Sequence, residues 1–105
     1  MFVKVSADGR VSLEDHQNFR AFKLVFEGNA GNLDAARKIL AGTAELADST
    51  HAWIFEDALR KRPETASDTA WQANLSAMIE KAKPHGWIDE QKKAIKAHIE
   101  WTGNA

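Results

Sequence analysis

The sequence lacks cysteine and tyrosine and has only two prolines among its 105 residues. Without cysteine, a disulfide framework, thiolate zinc ligands and a thiol nucleophile are excluded. No segment approaches the roughly 20 consecutive apolar residues that a membrane-spanning helix needs. No charged N-terminal region followed by an apolar run indicates a secretory signal. These absences predict a cytoplasmic protein that does not associate with a membrane.

An excess of one charge is also lacking, because 14 basic and 15 acidic side chains give a formal net charge of −1. This balance provides no overall attraction to nucleic acid or anionic lipid. The cluster Arg60-Lys61-Arg62 is the feature that a nucleic-acid-binding module would use. Basic residues at a helix end also complement the helix dipole, however, and acidic residues are interspersed with them. Nucleic-acid binding is therefore less favoured than a protein interaction or a small-ligand site.

The N-terminus predicts a short β-hairpin. The segment from Phe2 to Val5, rich in β-branched and aromatic residues, is typical of a short strand, and Asp8-Gly9 is typical of a tight turn. Val11 can then return antiparallel to the first strand. The segment from Val5 to Asp15 also has some features of a calcium-binding loop.

The required ligands of an EF-hand nevertheless favour a hairpin turn and a helix cap over a calcium loop. If Gly9 takes the sixth position of the loop, the first position falls on Lys4 and the twelfth on Asp15. The first carboxylate is then replaced by a cation, and the bidentate glutamate by a shorter side chain. An Asp-Gly turn before a predicted helix also resembles the start of the TerB-like helical domains. This resemblance covers only the stretch around Asp8-Gly9, so no residue role is assigned from it.

The rest of the chain predicts a mainly α fold of about five short helices, packed as an orthogonal or irregular bundle. Few helix breakers and many Ala, Lys and Glu residues favour helix over strand. The helices are placed at 13–27, at 33–46, from a cap within 48–50 to the residue before Pro63, from Ser67 to the break at Pro84, and at 89–101. The whole chain, 1–105, is then one helical domain with the hairpin in 1–12 and the helices in 13–103.

Capping residues set these bounds. Asn32, Ser67 and Asp89 can accept hydrogen bonds from the first amides of a helix. Gly28 and Gly103 can end a helix, because glycine readily adopts the left-handed conformation found there.

The sequence offers no recognisable catalytic or metal-binding motif. The four histidines, His16, His51, His85 and His98, include no pair spaced three or four residues apart, as helical metal motifs require. Neighbouring carboxylates on a helix point about 100° apart and make no natural acid–base pair. We therefore predict no metal, no cofactor and no enzymatic activity.

A small-ligand pocket is one functional alternative. On a helical wheel His98 lies between Ile95 and Trp101, in an aromatic arc that also includes Trp87. A pocket between helices could be lined by Trp87, His98 and Trp101, with His51 as a fourth candidate. The alternative interpretation is a partly buried histidine with one hydrogen-bond partner.

Surplus apolar surface indicates an interface instead. In the predicted first helix Leu24 lies opposite the main apolar stripe, and in the third Trp53 lies on the polar side beside Arg60. A surface helix needs only one apolar stripe, so Leu24, Trp53 and Arg60 are assigned to a two-fold homodimer interface. The favoured function is a small non-enzymatic interaction or regulatory protein, with a protein partner besides its own copy as a further possibility. The alternatives are a ligand-binding helical domain and a nucleic-acid-binding module.

Overall fold

A computed structural model, which describes residues 1–27 and 33–102, shows a mixed α/β fold rather than a helical bundle. The prediction of a mainly α protein is therefore wrong. The described residues form seven strands and three helices, and the sheet curls into half a barrel. The strands are β1 (Phe2–Val5), β2 (Val11–Glu14), β3 (Lys23–Phe26), β4 (Ala44–Leu46), β5 (His51–Phe55), β6 (Ile88–Asp89) and β7 (Ala94–Trp101). The helices are α1 (Leu33–Ile39), α2 (Glu56–Arg60) and α3 (Thr69–Ala82), and a 3₁₀ turn at Lys83–His85 follows α3.

The strand order is β2-β1-β3-β7-β5-β4, and β6 pairs with β7 beside this path. The hairpin of β1 and β2 is antiparallel, as predicted, although β2 continues to Glu14 where a helix was expected. β3 lies parallel to both β1 and β7, whereas β5 lies antiparallel to β7 and β4. The longest strand, β7, is thus the centre of the sheet.

The predicted first helix is replaced by β2, a loop and β3. Its two apolar sides are the two faces of a central strand: Leu24 is 0% exposed on one face and Val25 is 9% exposed on the other. A strand paired on both edges and covered on both faces carries a continuous apolar run, which a helical wheel misreads as two stripes. The predicted helix end at Gly28 lies outside the described residues.

The predicted fifth helix is instead β6 and β7. In β7 the buried residues Ala97 and Ile99 alternate with the exposed residues His98 and Glu100, which is the two-residue period of a strand. The abundance of Ala, Lys and Glu favours helix only weakly, and tertiary pairing overrides that preference. The predicted helix end near Gly103 also lies outside the described residues.

The predicted third helix is a strand followed by a single helical turn. Ala52 and Ile54 of β5 are buried against the core, while Trp53 and Phe55 face the other side of the sheet. Only from Glu56 does the chain become helical. Trp53 and Phe55 therefore share one face of the sheet, whereas a helical wheel had placed Trp53 on the polar side of a helix.

The second predicted helix is present but short. It ends at Ile39, and Gly42 adopts a positive φ of 83° before β4 begins. This left-handed conformation turns the chain into the sheet and is disfavoured for residues with a side chain. The cap predicted at Asn32 lies outside the described residues.

The fourth predicted helix matches α3 closely. Asp68, one residue after the predicted cap Ser67, accepts a hydrogen bond from the Trp71 amide at 3.0 Å. The apolar stripe of α3 covers the core face of the sheet through its buried residues Trp71, Leu75, Ile79 and Ala82. Neither α3 nor any other helix within residues 1–27 and 33–102 has both the length and the apolar character needed to cross a bilayer.

Candidate functional site

A gap in the sheet creates the main groove of the molecule. β6 pairs with Ala94 and Ile95 of β7, and β3 pairs with the segment from His98 to Trp101. Both strands lie along the same edge of β7, because β5 occupies the opposite edge. The Lys96 amide still donates to the Trp87 carbonyl at 2.7 Å, but at Ala97 neither strand pairs with this edge.

The groove that opens at this gap has a volume of about 760 Å³. One wall is the loop that leads into β3, and the other is the segment between α3 and β6. The C-terminal half of α3 lies beneath, and β7 and β5 contribute the remaining side. The lining residues are Phe19, Arg20, Ala21, Phe22, His51, Asn74, Ala77, Met78, Lys81, Ala82, His85, Trp87, Ile95, Lys96 and His98.

The first wall is attached to α3 by Trp71. The Trp71 indole N–H donates to the His16 carbonyl at 2.7 Å, and the Phe19 ring lies 5.8 Å from the Trp71 ring. Within the loop, the Arg20 amide donates to the Asn18 side chain at 3.0 Å. The position of Arg20 at the groove is therefore determined by bonds to the core helix and within the loop.

The second wall presents a stacked aromatic pair. The His85 and Trp87 rings lie 4.4 Å apart with an angle of 19° between their planes. Gly86 between them has a positive φ of 75°, which turns the chain from the 3₁₀ turn toward β6. Trp87 is 49% exposed, the only large apolar side chain so exposed within the described residues.

The electrostatic character of the groove is positive. It is lined by the cations Arg20, Lys81 and Lys96 and by three histidines, and no carboxylate of the described residues lines it. None of the ion pairs within residues 1–27 and 33–102 involves these three cations. Ion pairs of the described residues therefore leave these three charges available to a ligand.

His51 is held in one orientation by a hydrogen-bonded chain. The Thr50 hydroxyl donates to the Asp48 carboxylate at 2.7 Å, and the same carboxylate accepts from the His51 amide at 2.9 Å. Hydrogen bonds from the Thr50 hydroxyl and from the Thr50 and His51 amides lower the pKa of Asp48 to about 2. The carboxylate is therefore charged at neutral pH and holds the start of β5 in place.

The hydrogen bonds between Asp48, Thr50 and His51 also fix the tautomer of the His51 ring. The Thr50 oxygen lies 2.9 Å from His51 Nδ1. Since the only hydroxyl proton of Thr50 is donated to Asp48, the Thr50 oxygen accepts a hydrogen bond from the Nδ1–H group. The lone pair of the neutral imidazole then lies on Nε2, which is the nitrogen left to bind a ligand or take up a proton.

His98 lies directly opposite His51 on the neighbouring strand, with 5.6 Å between the ring centroids. On its other side His98 pairs with Lys23 of β3. Lys23 forms an ion pair of 2.7 Å with Glu100, which lowers the pKa of that carboxyl group. The carboxylate of Glu100, two positions from His98 on the same face of β7, is therefore already paired with a cation that does not line the groove.

Three of the four residues predicted to line a ligand pocket come together here: Trp87, His98 and His51. Trp101 does not, because it lies at the far end of β7. Its ring packs 5.0 Å from Phe26, and its indole N–H donates to the Ser49 carbonyl at 2.6 Å. The three residues meet across strands of a sheet, not between helices.

The three residues assigned to a dimer interface do not lie together. Leu24 is fully buried in the core, which removes the reason for placing it at an interface. Arg60 is bonded to α3 within the chain. Trp53 is half-buried on the outer face of β5, where it pairs across the sheet with Glu45 and Lys96.

The three cations of the groove were not recognised from the sequence as parts of one site. Arg20, Lys81 and Lys96 belong to a loop, a helix and a strand, and no spacing in the sequence connects them. The sequence did contain one signal. Apolar and polar residues alternate along the segment that forms β7, which places Lys96 and His98 on the same face. Phe19 and Phe22 also line the groove, but they lie within the segment 13–27 that was predicted to be a helix.

The side chains that line the groove do not resemble the ligands of a metal centre. Within the described residues no three His, Asp or Glu side chains lie close enough together to hold a metal ion. The groove instead offers positive charge, hydrogen-bond donors and aromatic surface. Comparisons with protein-family models, with curated proteins and with solved structures find no match that would identify this arrangement.

Proposed function

We propose that the protein binds a small organic anion with an apolar or aromatic body in the groove between β3 and β6. The observation that carries this proposal is the presence of three cations, Arg20, Lys81 and Lys96, in a concave site lined by no described carboxylate. Uncompensated like charges around a cleft raise the local concentration of anions. The groove volume of about 760 Å³ lies within the roughly 300–1,000 Å³ typical of small-molecule sites.

The apolar residues support an amphipathic ligand over an inorganic ion. Phe19 and Phe22 on one wall and Trp87 on the other can contact the faces of a ring, and Met78 supplies a flexible apolar floor. A charged group can then bind to the cations, while the ring is removed from water.

Three naphthalene compounds of similar shape test the proposal: 2-naphthoate, neutral 2-naphthamide and cationic 2-naphthylmethylammonium. Titration calorimetry should detect binding of the carboxylate and at least tenfold weaker binding of the other two. Thermal unfolding in excess naphthoate should shift upward, by about 2.7 kcal/mol of stability at one hundred times the Kd. Equal affinity for the amide, or binding by none of the three, would overturn the proposal.

The homodimeric interaction protein remains a prediction. The half-buried Trp53 is the residue of the proposed interface that still favours it, since tryptophan is enriched at interfaces. Sedimentation that shows only monomer at high micromolar concentration would contradict it. The absence of enzymatic activity likewise remains a prediction.

A further inference from the structure

We propose that the groove selects phosphate monoesters of aromatic alcohols, and that the His51–His98 pair takes up a proton when the phosphate binds. This inference rests on the proposed function and adds the chemical class of the ligand. It follows from the number of positive groups in the groove and from the position of the two imidazoles among them.

The two imidazoles form one unit. His51 and His98 occupy directly opposed positions on antiparallel strands, and their rings meet edge to face with centroids 5.6 Å apart. The Ile99 amide donates to the Thr50 carbonyl at 2.7 Å, one position away along the ladder. His51 and His98 are therefore a non-hydrogen-bonded pair, the class in which facing side chains lie closest.

The charges around this pair determine when it can carry a proton. Lys96 and Glu100 lie two positions to either side of His98 on the same face of β7, and Lys23 faces it from β3. Asp48 lies beyond His51, with Thr50 between them. Lys23 and Glu100 form an ion pair of 2.7 Å, so their charges offset each other. The Asp48 carboxylate accepts three hydrogen bonds.

The cations of the groove face the same pair from other elements. Lys81 of α3, Arg20 of the loop before β3 and His85 of the second wall all line the site. No carboxylate of the described residues lines the groove beside these positive groups. An anion that binds between them stabilises an added positive charge, such as that of a protonated imidazole.

A phosphate monoester matches this site better than a singly charged anion does. It carries a charge of about −1.5 to −2 near neutral pH and three acceptor oxygens. Arg20, Lys81 and Lys96 provide three fixed positive charges, and a protonated imidazole would provide another donor. His51 Nε2 carries its lone pair when neutral, so a proton taken up there can be donated to a phosphate oxygen.

The test compares 1-naphthyl phosphate with 1-naphthyl sulfate, which have the same ring but different charge. Titration calorimetry near pH 7.5 should show at least tenfold tighter binding of the phosphate. Each titration is repeated in two buffers with different heats of ionisation, which gives the number of protons taken up. Sulfate monoesters do not titrate in this range, so protons taken up with the sulfate ester come from the protein.

We expect about half a proton or more taken up per ligand, because a bound anion stabilises the protonated form of an imidazole beside it. His51→Gln and His98→Gln should lower the uptake and reduce the preference for phosphate over sulfate to less than threefold. His16→Gln is the matched control, since His16 does not line the groove, and it should leave both values unchanged.

Zero proton uptake in the unmodified protein, or equal affinity for the two esters, would overturn this inference even if a histidine variant failed to fold. Binding of 2-naphthoate under the same conditions shows whether the general proposal stands. If naphthoate binds without proton uptake and without a preference for phosphate, the phosphate inference fails alone. If no anion binds, both proposals fail.

Discussion

Two basic regions of this protein differ in what their charges do. The segment Arg60-Lys61-Arg62 has its positive charges adjacent in the sequence, whereas those of the groove come from a loop, a helix and a strand. Both arginines of the segment form ion pairs with glutamates of the chain, whereas the three groove cations form no ion pair within the described residues. Clustered charge in the sequence therefore marks a structural region here, and dispersed charge marks the candidate site.

Arg60 connects α2 to α3. Its Nε donates to Glu56 at 2.7 Å, one Nη donates to the Gln72 side chain at 2.8 Å, and the other donates to Ser76 at 2.9 Å. Gln72 in turn donates to the Arg60 carbonyl at 3.1 Å. A guanidinium bonded on all sides is not available to a nucleic-acid phosphate without breaking these bonds.

Arg62 covers the outer edge of β2. Its guanidinium donates to the Val11 carbonyl at 2.8 Å, and its ion-pair partner Glu64 accepts from the Leu13 amide at 2.8 Å. The two side chains thereby bond the backbone groups that a further strand would otherwise pair with. This arrangement protects a sheet edge from pairing with another chain. Of the three basic residues, only Lys61 is exposed.

The largest effect is expected for Arg60→Met, which removes the connection between α2 and α3. We expect the free energy of unfolding to fall by about 2 kcal/mol, because a charge-assisted bond to a partly buried carboxylate is lost together with the bonds to Gln72. Urea unfolding measures this loss. Arg37→Met, which removes only an exposed pair with Asp34, should cost less than about 0.5 kcal/mol. Naphthoate affinity should not change in either variant.

The next effect concerns Lys96→Gln, which removes one groove cation and keeps a side chain of similar length. Naphthoate should bind about tenfold more weakly, equivalent to about 1.4 kcal/mol, and stability should stay within about 0.5 kcal/mol. Lys38→Gln makes the same charge change on an exposed residue that does not line the groove. A loss of affinity as large in Lys38→Gln would show that net charge, not the groove, controls binding.

A smaller effect, which depends on pH, is expected for Glu64→Gln at the β2 edge. Burial raises the pKa of Glu64, but the Leu13 amide and the Arg62 guanidinium outweigh it and lower the pKa below its ordinary value of 4.5. A lowered native pKa means that the charged form stabilises the fold above the unfolded pKa, and that this contribution is lost as the pH falls through the native pKa. The stability difference from Glu64→Gln should therefore be constant above about pH 5 and shrink at lower pH. A difference that grows toward low pH would contradict this account.

The smallest effect is expected for Asp48→Asn beside the groove. The native pKa of Asp48 is about 2, lowered from 3.8, so its stabilising contribution should persist above about pH 4 and disappear as the pH falls toward 2. Urea unfolding between these values measures this change. Asp34→Asn, which alters an acid in an exposed ion pair, is the control and should show a weaker dependence on pH in this window.

The sequence allowed α3 and the N-terminal hairpin to be predicted, because their signals are local. The stripe from Trp71 to Ala82 keeps helical spacing, and Asp8-Gly9 specifies a tight turn. The strands β3, β5 and β7 depend on pairing between segments far apart in the chain, which local propensity does not represent. In β7 the alternation from Ala94 to Trp101 was visible, but its Ala, Lys and Glu content favoured helix.

The same limit applies to the candidate site. Trp87, His98 and His51 were selected as aromatic and titratable residues near apolar ones, and the sheet brings them together. Trp101 was selected for the same reason, but the two-residue period places it on the opposite face of β7 from His98. Arg20 and Lys81 gave no local signal, because their common position depends on a gap between two strands that share one edge of a third.

The central claim is that an organic anion binds at the groove and not at the basic segment, and NMR can locate it. Titration of the ¹⁵N-labelled protein with 2-naphthoate should shift the amide signals of Ala77, Lys96 and His98, and those of Arg60 to Arg62 should stay in place. Saturable shifts centred on Arg60 to Arg62, or no saturable shift at the groove at millimolar naphthoate, would contradict the account.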